Sequence, residues 1–515
     1  MIFYPNQMFR GMALFLCLAT CGCSSIMWRA QFIKPEAYRQ IDAEVPFLKC
    51  HTPGGDVFVL ANWKFIQDKK VLVGNGFHYD VDRNFVAMGI LEVPFSDIAL
   101  IETNQPESVT TKGHFIVMGV LTGVSLVASV LCLSNPKACF GSCPTFYAND
   151  GTKLALQAEG FSSSVARVLE KTDIDAMFTV RPKSRRFELL MTNDALETHM
   201  VRSVSVLAIP RPVGGRVFSS AGRFYPATAI NSPLTCSSEL GDCLELVSRV
   251  DDQEYISPAD EHNLATREQI ELSFPHVDGP LGLAIAGRNS LLNTFLFYQT
   301  LAYMGMSAGD WFMKLERGGP KAIGMLGEID RLLGNIDVSL LTKDGTWQAA
   351  GSFAETGPIA REVQLVRLPG DLPAGPVRIR LKLTKGNWKL DYLAIARLGP
   401  PREPIALPVT KVEKKKAEDT AALASLLGPD SYLMTYPGDA YNLFFDLPDG
   451  DYELFLQSRG FYYEWIRKQW LAEENHDEVA RILLEPAEAF KRLAPAYKKI
   501  EPSMEEVFWK SRFGR

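Results

Sequence analysis

At 515 residues, with 47% hydrophobic and 22% charged side chains, the chain has the composition of a globular protein with several cores, which excludes a disordered tail. Its formal net charge of −6 supplies no basic field of the kind that gathers phosphates, so no nucleic-acid partner is expected.

Arg10 is the only charged side chain in residues 1–10, and residues 12–20 form an apolar run too short to span a bilayer, the layout of a secretory signal peptide over 1–23. The run leads into Cys21-Gly22-Cys23-Ser24-Ser25, which resembles the lipobox of bacterial lipoproteins, where a cysteine behind a small residue is acylated and becomes the new amino terminus. Cys23, between Gly22 and two serines, is the expected lipidation site, with Cys21 the alternative. A lipid there tethers the protein to a membrane. An uncleaved anchor or a plain signal peptide is the competing reading.

Residues 24–112 read as a small β domain, with strands at 57–60, 71–73 and within 85–101 separated by turn residues. Segment 113–134 reads as an apolar, transmembrane-like helix: the nineteen residues 115–133 carry no charge, and Gly119 and Gly123 give a small-xxx-small face. A buried core helix is the alternative. A lipid on Cys23 and a full crossing at 115–133 would separate the two flanks of the helix by a membrane, which conflicts with disulfides further on; the full crossing is the reading to give up.

A mixed β domain is expected over 135–330, with Phe187, Leu189 and Met191 on one strand face, an apolar strand at 201–209, and another at 281–285 leading into a helix near 289–304. Five strands at 336–341, 346–351, 362–368, 377–383 and 389–396 give a β-sandwich-like domain over 331–400. Residues 401–425 read as a charged linker. In 426–515, Tyr441, Leu443, Phe445 and Leu447, the turn Pro448-Asp449-Gly450, and Tyr452, Leu454 and Leu456 predict a hairpin. Trp465, Ile466 and Trp470 recur at helical spacing from Phe461 onward, and Pro486, Pro495 and Pro502 are expected to cut the remainder into short helices. The expected fold is therefore mainly β with α additions, in several domains.

Beyond the leader stand Cys50, Cys132, Cys139, Cys143, Cys236 and Cys243. The close pairs Cys139/Cys143 and Cys236/Cys243 are disulfide candidates in an oxidising compartment; a zinc site from both pairs is disfavoured by the six-residue gap of the second. Cys50 and Cys132 read as buried thiols.

Ser142-Cys143-Pro144-Thr145-Phe146-Tyr147, with Asp150-Gly151 and Glu159-Gly160 behind it, resembles a module of uncharacterised bacterial envelope lipoproteins in which a Ser-Cys-Pro-aromatic segment follows a membrane stretch. The resemblance continues through residues 187–193 with Glu197-Thr198, then 387–395, then Ser458-Arg459-Gly460-Phe461-Tyr462-Tyr463-Glu464-Trp465. It implies an architecture and an envelope location, and no activity. Cys139 departs from the pattern, in which the second cysteine often stands alone.

Catalytic signatures fail. Gly160-Phe161-Ser162-Ser163-Ser164 lacks the second glycine of a nucleophile elbow, and Gly282, Ala284 and Gly287 imitate a dinucleotide fingerprint only loosely. No two of the seven histidines stand at metal-ligand spacing, and Asp260-Glu261-His262 and His476-Asp477-Glu478 read as charged surface turns. No catalytic residue, metal or cofactor is expected. The sequence points to a non-enzymatic, membrane-anchored envelope protein that binds another envelope protein or a glycan through its β domains, with Trp347, Trp388 and Tyr392 as residues for stacking on a sugar. The alternative is an envelope hydrolase whose site is assembled from dispersed carboxylates.

Overall fold

Short alternating segments punctuated by turns build most of the described elements into sheets, antiparallel but for the contact of Ser219 with Gln364. The structure, a computed structural model, describes residues 26–108, 143–305, 308, 331–464 and 473–512 apart from short breaks. Cys21, Cys23, Cys132, Cys139, the apolar segment 115–133 and the aromatic run 465–470 lie outside them. The chain divides into two compact units, Met1–Gly123 and Val124–Arg515. Among the described residues no helix is long and apolar enough to cross a membrane.

The first unit is a six-stranded sheet in the order Ile26–Ile33, Leu100–Ser108, Phe47–His51, Val57–Ile66, Val71–Tyr79, Phe85–Pro94. Leu48, Cys50, Leu60, Leu72, Val93 and Ile101 form its core, and burial pushes the Cys50 thiol up to about 12. A Cβ on Gly76 would lie 1.8 Å from the Val59 carbonyl oxygen, so this ladder closes only around glycine.

The second unit stacks four β layers. The first sheet contains Thr145–Asn149, Leu154–Glu159, Arg186–Thr192, Ala440–Asp446, Lys411–Lys414 and Ala417–Glu418. The second is built on the long pair Glu197–Pro210 and Tyr452–Glu464, flanked by Lys171–Ala176, Ile405–Pro408 and Leu433–Thr435. A closed barrel follows, of Arg216–Ser220, Arg223–Asn231, Trp388–Leu398, Leu281–Asn289 and Glu362–Arg367. The outer sheet holds Gly241–Asp242, Thr235–Ser238, Arg267–Phe274, Val377–Thr384, Ile336–Leu341 and Trp347–Phe353.

Period-two alternation sends successive residues of one strand into different cores. Val206 and Ala208 join the core shared with the first sheet, while Leu207 and Ile209 join the core shared with the barrel. Leu283 and Ile285 likewise face the outer sheet, and Ala284 and Ala286 the opposite side. Strands buried on both faces read as apolar runs, which is why 206–209 and 281–285 were visible.

Several expectations are corrected. The five strands of 331–400 form, yet they do not make a domain of their own: Val377–Thr384 pairs with Arg267–Phe274, and Trp388–Leu398 with Leu281–Asn289, so the proposed boundary at 330 falls inside shared sheets. The strands flanking Pro448 do not pair with each other. Ala440–Asp446 pairs with Arg186–Thr192, and Tyr452–Glu464 with Glu197–Pro210, so the turn is an arch between layers. Alternation is the same for both geometries; here Leu443 and Phe445 meet Leu454 and Leu456 across the sandwich core instead of side by side. The expected linker contributes two strands to the first sheet, with Lys411–Lys414 pairing with Ala440–Asp446. Residues 461–464 extend a strand and do not start a helix.

Among the helices, α1 (Leu292–Met304) fulfils the expected core stripe, and α2 (Thr420–Leu427) is capped by the Asp419 side chain, which accepts from Ala422 N. Asn475 caps α3 (His476–Leu484), and α4 (Pro486–Lys510) starts on Pro486 but runs through Pro495 and Pro502. An interior proline costs about 3 kcal/mol. Burial of Phe490, Leu493 and Tyr497 against Leu292 and Phe295 offsets that cost and keeps α4 continuous.

A charge network ties α4 to the barrel: Arg288 bonds Glu254 at 2.6 and 2.7 Å and Glu505 at 2.8 Å, and Lys389 bonds Glu505 as well. Burial opposes ionisation of Glu505, but Arg288 and Lys389 prevail and hold its carboxyl down at about 2. Its folded pKa lies below its unfolded value, so its contribution is present above about pH 4.5 and is lost as pH falls toward 2. Because the carboxylate is 39% exposed, solvent screening reduces this to on the order of 1 kcal/mol. Glu505→Gln is expected to flatten the urea-midpoint profile between those pH values by that amount.

Candidate functional site

The side chain of Asn193 fixes how the chain enters the second sheet: its Nδ2 donates to the carbonyls of Glu197 and Thr435 at 3.0 and 3.1 Å, and its Oδ1 accepts from Ala195 N. From that point the antiparallel register sets Glu197 opposite Glu464 and His199 opposite Tyr462. Residues two apart share a strand face, so all four lie on one side. His199 Nε2 and Glu197 Oε2 are 3.0 Å apart with both side chains fully buried. Tyr462 donates its hydroxyl to the Ser162 carbonyl at 3.0 Å, and Glu464 accepts from the Tyr298 hydroxyl of α1 at 2.8 Å.

Cys143 and Glu159 complete the cluster. The Cys143 thiol donates to Glu159 Oε1 at 3.3 Å, and Glu159 Oε2 accepts from the backbone of Ile359 and Ala360 at 2.9 and 3.3 Å. Burial drives the Tyr462 phenol well above its ordinary value, and Cys143, Glu197, Glu464 and Tyr298 add to the shift. Two motif glycines permit the approach: a Cβ on Gly160 would lie 2.7 Å from Ser458 Oγ, and one on Gly460 would lie 2.3 Å from the Met200 carbonyl oxygen.

Motifs scattered over residues 142–160, 187–198 and 458–465 thus converge through Cys143, Glu159, Asn193, Glu197, Tyr462 and Glu464. The 387–395 motif lies elsewhere, in the barrel. Sequence reasoning missed His199 and Tyr298; the available signal was Glu197 and His199 two apart, on one face of a strand. Each carboxylate is bonded inside the protein, to amides, an imidazole or a phenol, so the cluster acts as a sealed polar knot holding sheet ends together.

Other candidates are dispersed. Cys236 and Cys243 form a disulfide. Cys143 is buried and its thiol donates to Glu159, while Cys139, its expected disulfide partner, lies outside the described residues. Trp388 is buried against Phe353 and so offers no face to a sugar, and Tyr392, partly buried, packs near Phe178 in a different core. Trp347 is half-buried, its ring covered by the Arg380 guanidinium at 4.0 Å. His262 and His476 are surface residues, as expected. Among the described residues no group of three or more His, Cys, Asp or Glu is placed to hold a metal ion.

No family model matches the chain, and no curated protein does. Among solved structures, the infectious bursal disease virus VP2 subviral particle is matched at 10% identity over 97% of this chain and 100% of that one, with a TM-score of 0.17, which carries no argument.

Glu197→Ala removes the carboxylate bonded to the buried imidazole and is expected to cost about 3–5 kcal/mol in urea unfolding, with Glu197→Gln costing less because the amide can still meet His199. A second buried carboxyl, Glu473, is 4% exposed and bonded by Gln299 Nε2 of α1 at 3.3 Å; burial raises it to about 7. Its folded pKa exceeds its unfolded value, so stability is highest below about pH 4.5 and falls by roughly 3 kcal/mol as pH rises through 7. Glu473→Gln is expected to remove that decline in melting experiments across pH 5–8.

Proposed function

We propose that this is an exported, membrane-anchored envelope protein that binds or scaffolds through its β layers and is not an enzyme. The Cys236–Cys243 disulfide carries the reading, since such bonds form and persist in oxidising compartments. The first unit supports attachment: Ile26 and Ser108, which lie on the sides of Cys23 and of 115–133 respectively, are paired at the end of their ladder. A lipid on Cys23 and an apolar segment at 115–133 would then meet one membrane, the segment entering without crossing. The motif cluster supports a structural role, because its acid–base groups are committed to one another.

Labelled palmitate is expected to mark the wild-type protein and the Cys21→Ser variant and to be absent from Cys23→Ser. No label on the wild type overturns the lipid anchor. A membrane-impermeant maleimide applied to intact cells is expected to reach Cys236 and Cys243 only after reduction; labelling confined to broken, unreduced cells overturns export.

A further inference from the structure

A cleft of about 260 Å³ opens on the first sheet, lined by Asn149, Arg181, Ser184, Arg186 and Glu188 among others. Its charge originates in the neighbouring layer. Glu453, whose side chain is 1% exposed, is held by Arg216 at 2.7 and 2.8 Å and by Arg211 at 3.2 Å through two nitrogens, and it also accepts from Val217 N. Arg181 reaches the same carboxylate only at 3.9 Å, and its side chain is 42% exposed. Its NH1 is spent on the carbonyls of Phe178 and Val180 at 3.0 and 2.8 Å. Three guanidiniums therefore share one buried carboxylate, with Asp451 as an exposed fourth partner on Arg211. Burial, and after it the nearby Arg216 and Arg211, lower Arg181 to about 10 against the opposing pull of Glu453 and Asp451.

The remaining wall is not that of a plain anion site. Glu188 is an exposed carboxylate that only accepts hydrogen bonds. Asn149 Oδ1 accepts from Gly151 N at 2.7 Å, leaving the amide nitrogen to donate, and Ser184 donates to the Arg186 carbonyl, leaving its oxygen to accept. Arg186, the second cation of the lining, lies over the Phe444 ring at 4.4 Å, and Glu188 opposes a bare phosphate at Arg181. A ligand carrying one carboxylate and several hydroxyls satisfies both groups: the guanidinium takes the carboxylate through paired N–H bonds, and Glu188, Asn149 and Ser184 take hydroxyls. We propose that this cleft binds the carboxylate-bearing ring of an acidic sugar. The inference rests on the binding role proposed above and supplies its ligand class.

The test is titration calorimetry on the purified full-length chain with galacturonate, galactose, inorganic phosphate and sulfate. Galacturonate is expected to bind at about millimolar strength, and galactose, phosphate and sulfate each at least about tenfold more weakly. Arg181→Gln is expected to abolish galacturonate binding, while Arg185→Gln, altering an exposed pair with Asp449 outside the cleft lining, leaves it unchanged. Glu188→Gln is expected to weaken galacturonate and strengthen phosphate, a crossover that misfolding would not produce. Galacturonate binding that is absent, is unaffected by Arg181→Gln, or is matched by phosphate and sulfate overturns the proposal. That failure would leave the acylation and maleimide results intact, so the two readings fall separately.

Discussion

The whole second unit depends on one constraint, that the strand pair Glu197–Pro210 and Tyr452–Glu464 is buried on both faces. One face packs on the first sheet and the other on the barrel, so neither strand has a solvent side on which to place a charge cheaply. A shift of register by one residue would exchange the two sets of side chains. Bulk alone resists this weakly, because Val204, Val206, Leu207 and Ile209 would be apolar on either side. What distinguishes the faces is polar: Ser458, Tyr462 and Glu464 on one, Glu453 on the other.

The same fact explains what was legible beforehand. Unbroken apolar runs and strict alternation exposed most strands, including all five between Ile336 and Leu398, because burial writes itself into composition. Which layer each strand joins left no such trace. Leu443 and Leu454 carry the same alternation whether they face each other across a core or lie side by side in a hairpin, and only the partners in distant Arg186–Thr192 and Glu197–Pro210 decide. The lysine-rich stretch near Lys411 looked like a linker because Val412 alone turns inward, while Lys411 and Lys414 are held at the sheet's margin by ion pairs with Glu413 and Asp439. In α4 the prolines suggested breaks, but packing on α1 outweighs their local cost.

The polar knot was legible as words without a sentence. Motifs around Cys143, Glu159, Glu197 and Tyr462 stood out one by one, and nothing in their spacing said that a single phenol would gather them. His199 was dismissed on metal-ligand spacing, a rule indifferent to a carboxylate two residues away on the same strand face. Trp388, expected as a stacking residue, sits on a barrel strand covered on both faces, where an aromatic fills a core more often than it greets a ligand.

Buried charge at both ends of Tyr452–Glu464 then specifies the register that apolar packing leaves loose. Near one end Glu453 turns toward the barrel side and meets Arg211 and Arg216; at the other Glu464 turns toward the first sheet and meets Tyr298. A one-residue slip would carry each carboxylate into the opposite core, away from its donors, and an uncompensated buried charge costs about 3–5 kcal/mol. The partner strand absorbs the mismatch between the two ends by a bulge between Val201 and Ser203, with Arg202 displaced to bond Glu170 and Tyr432. The ionic groups therefore contribute uniqueness more than stability. Because one buried Glu453 has to hold several arginines to do so, a surplus guanidinium at the surface is the direct consequence of how the strand is registered.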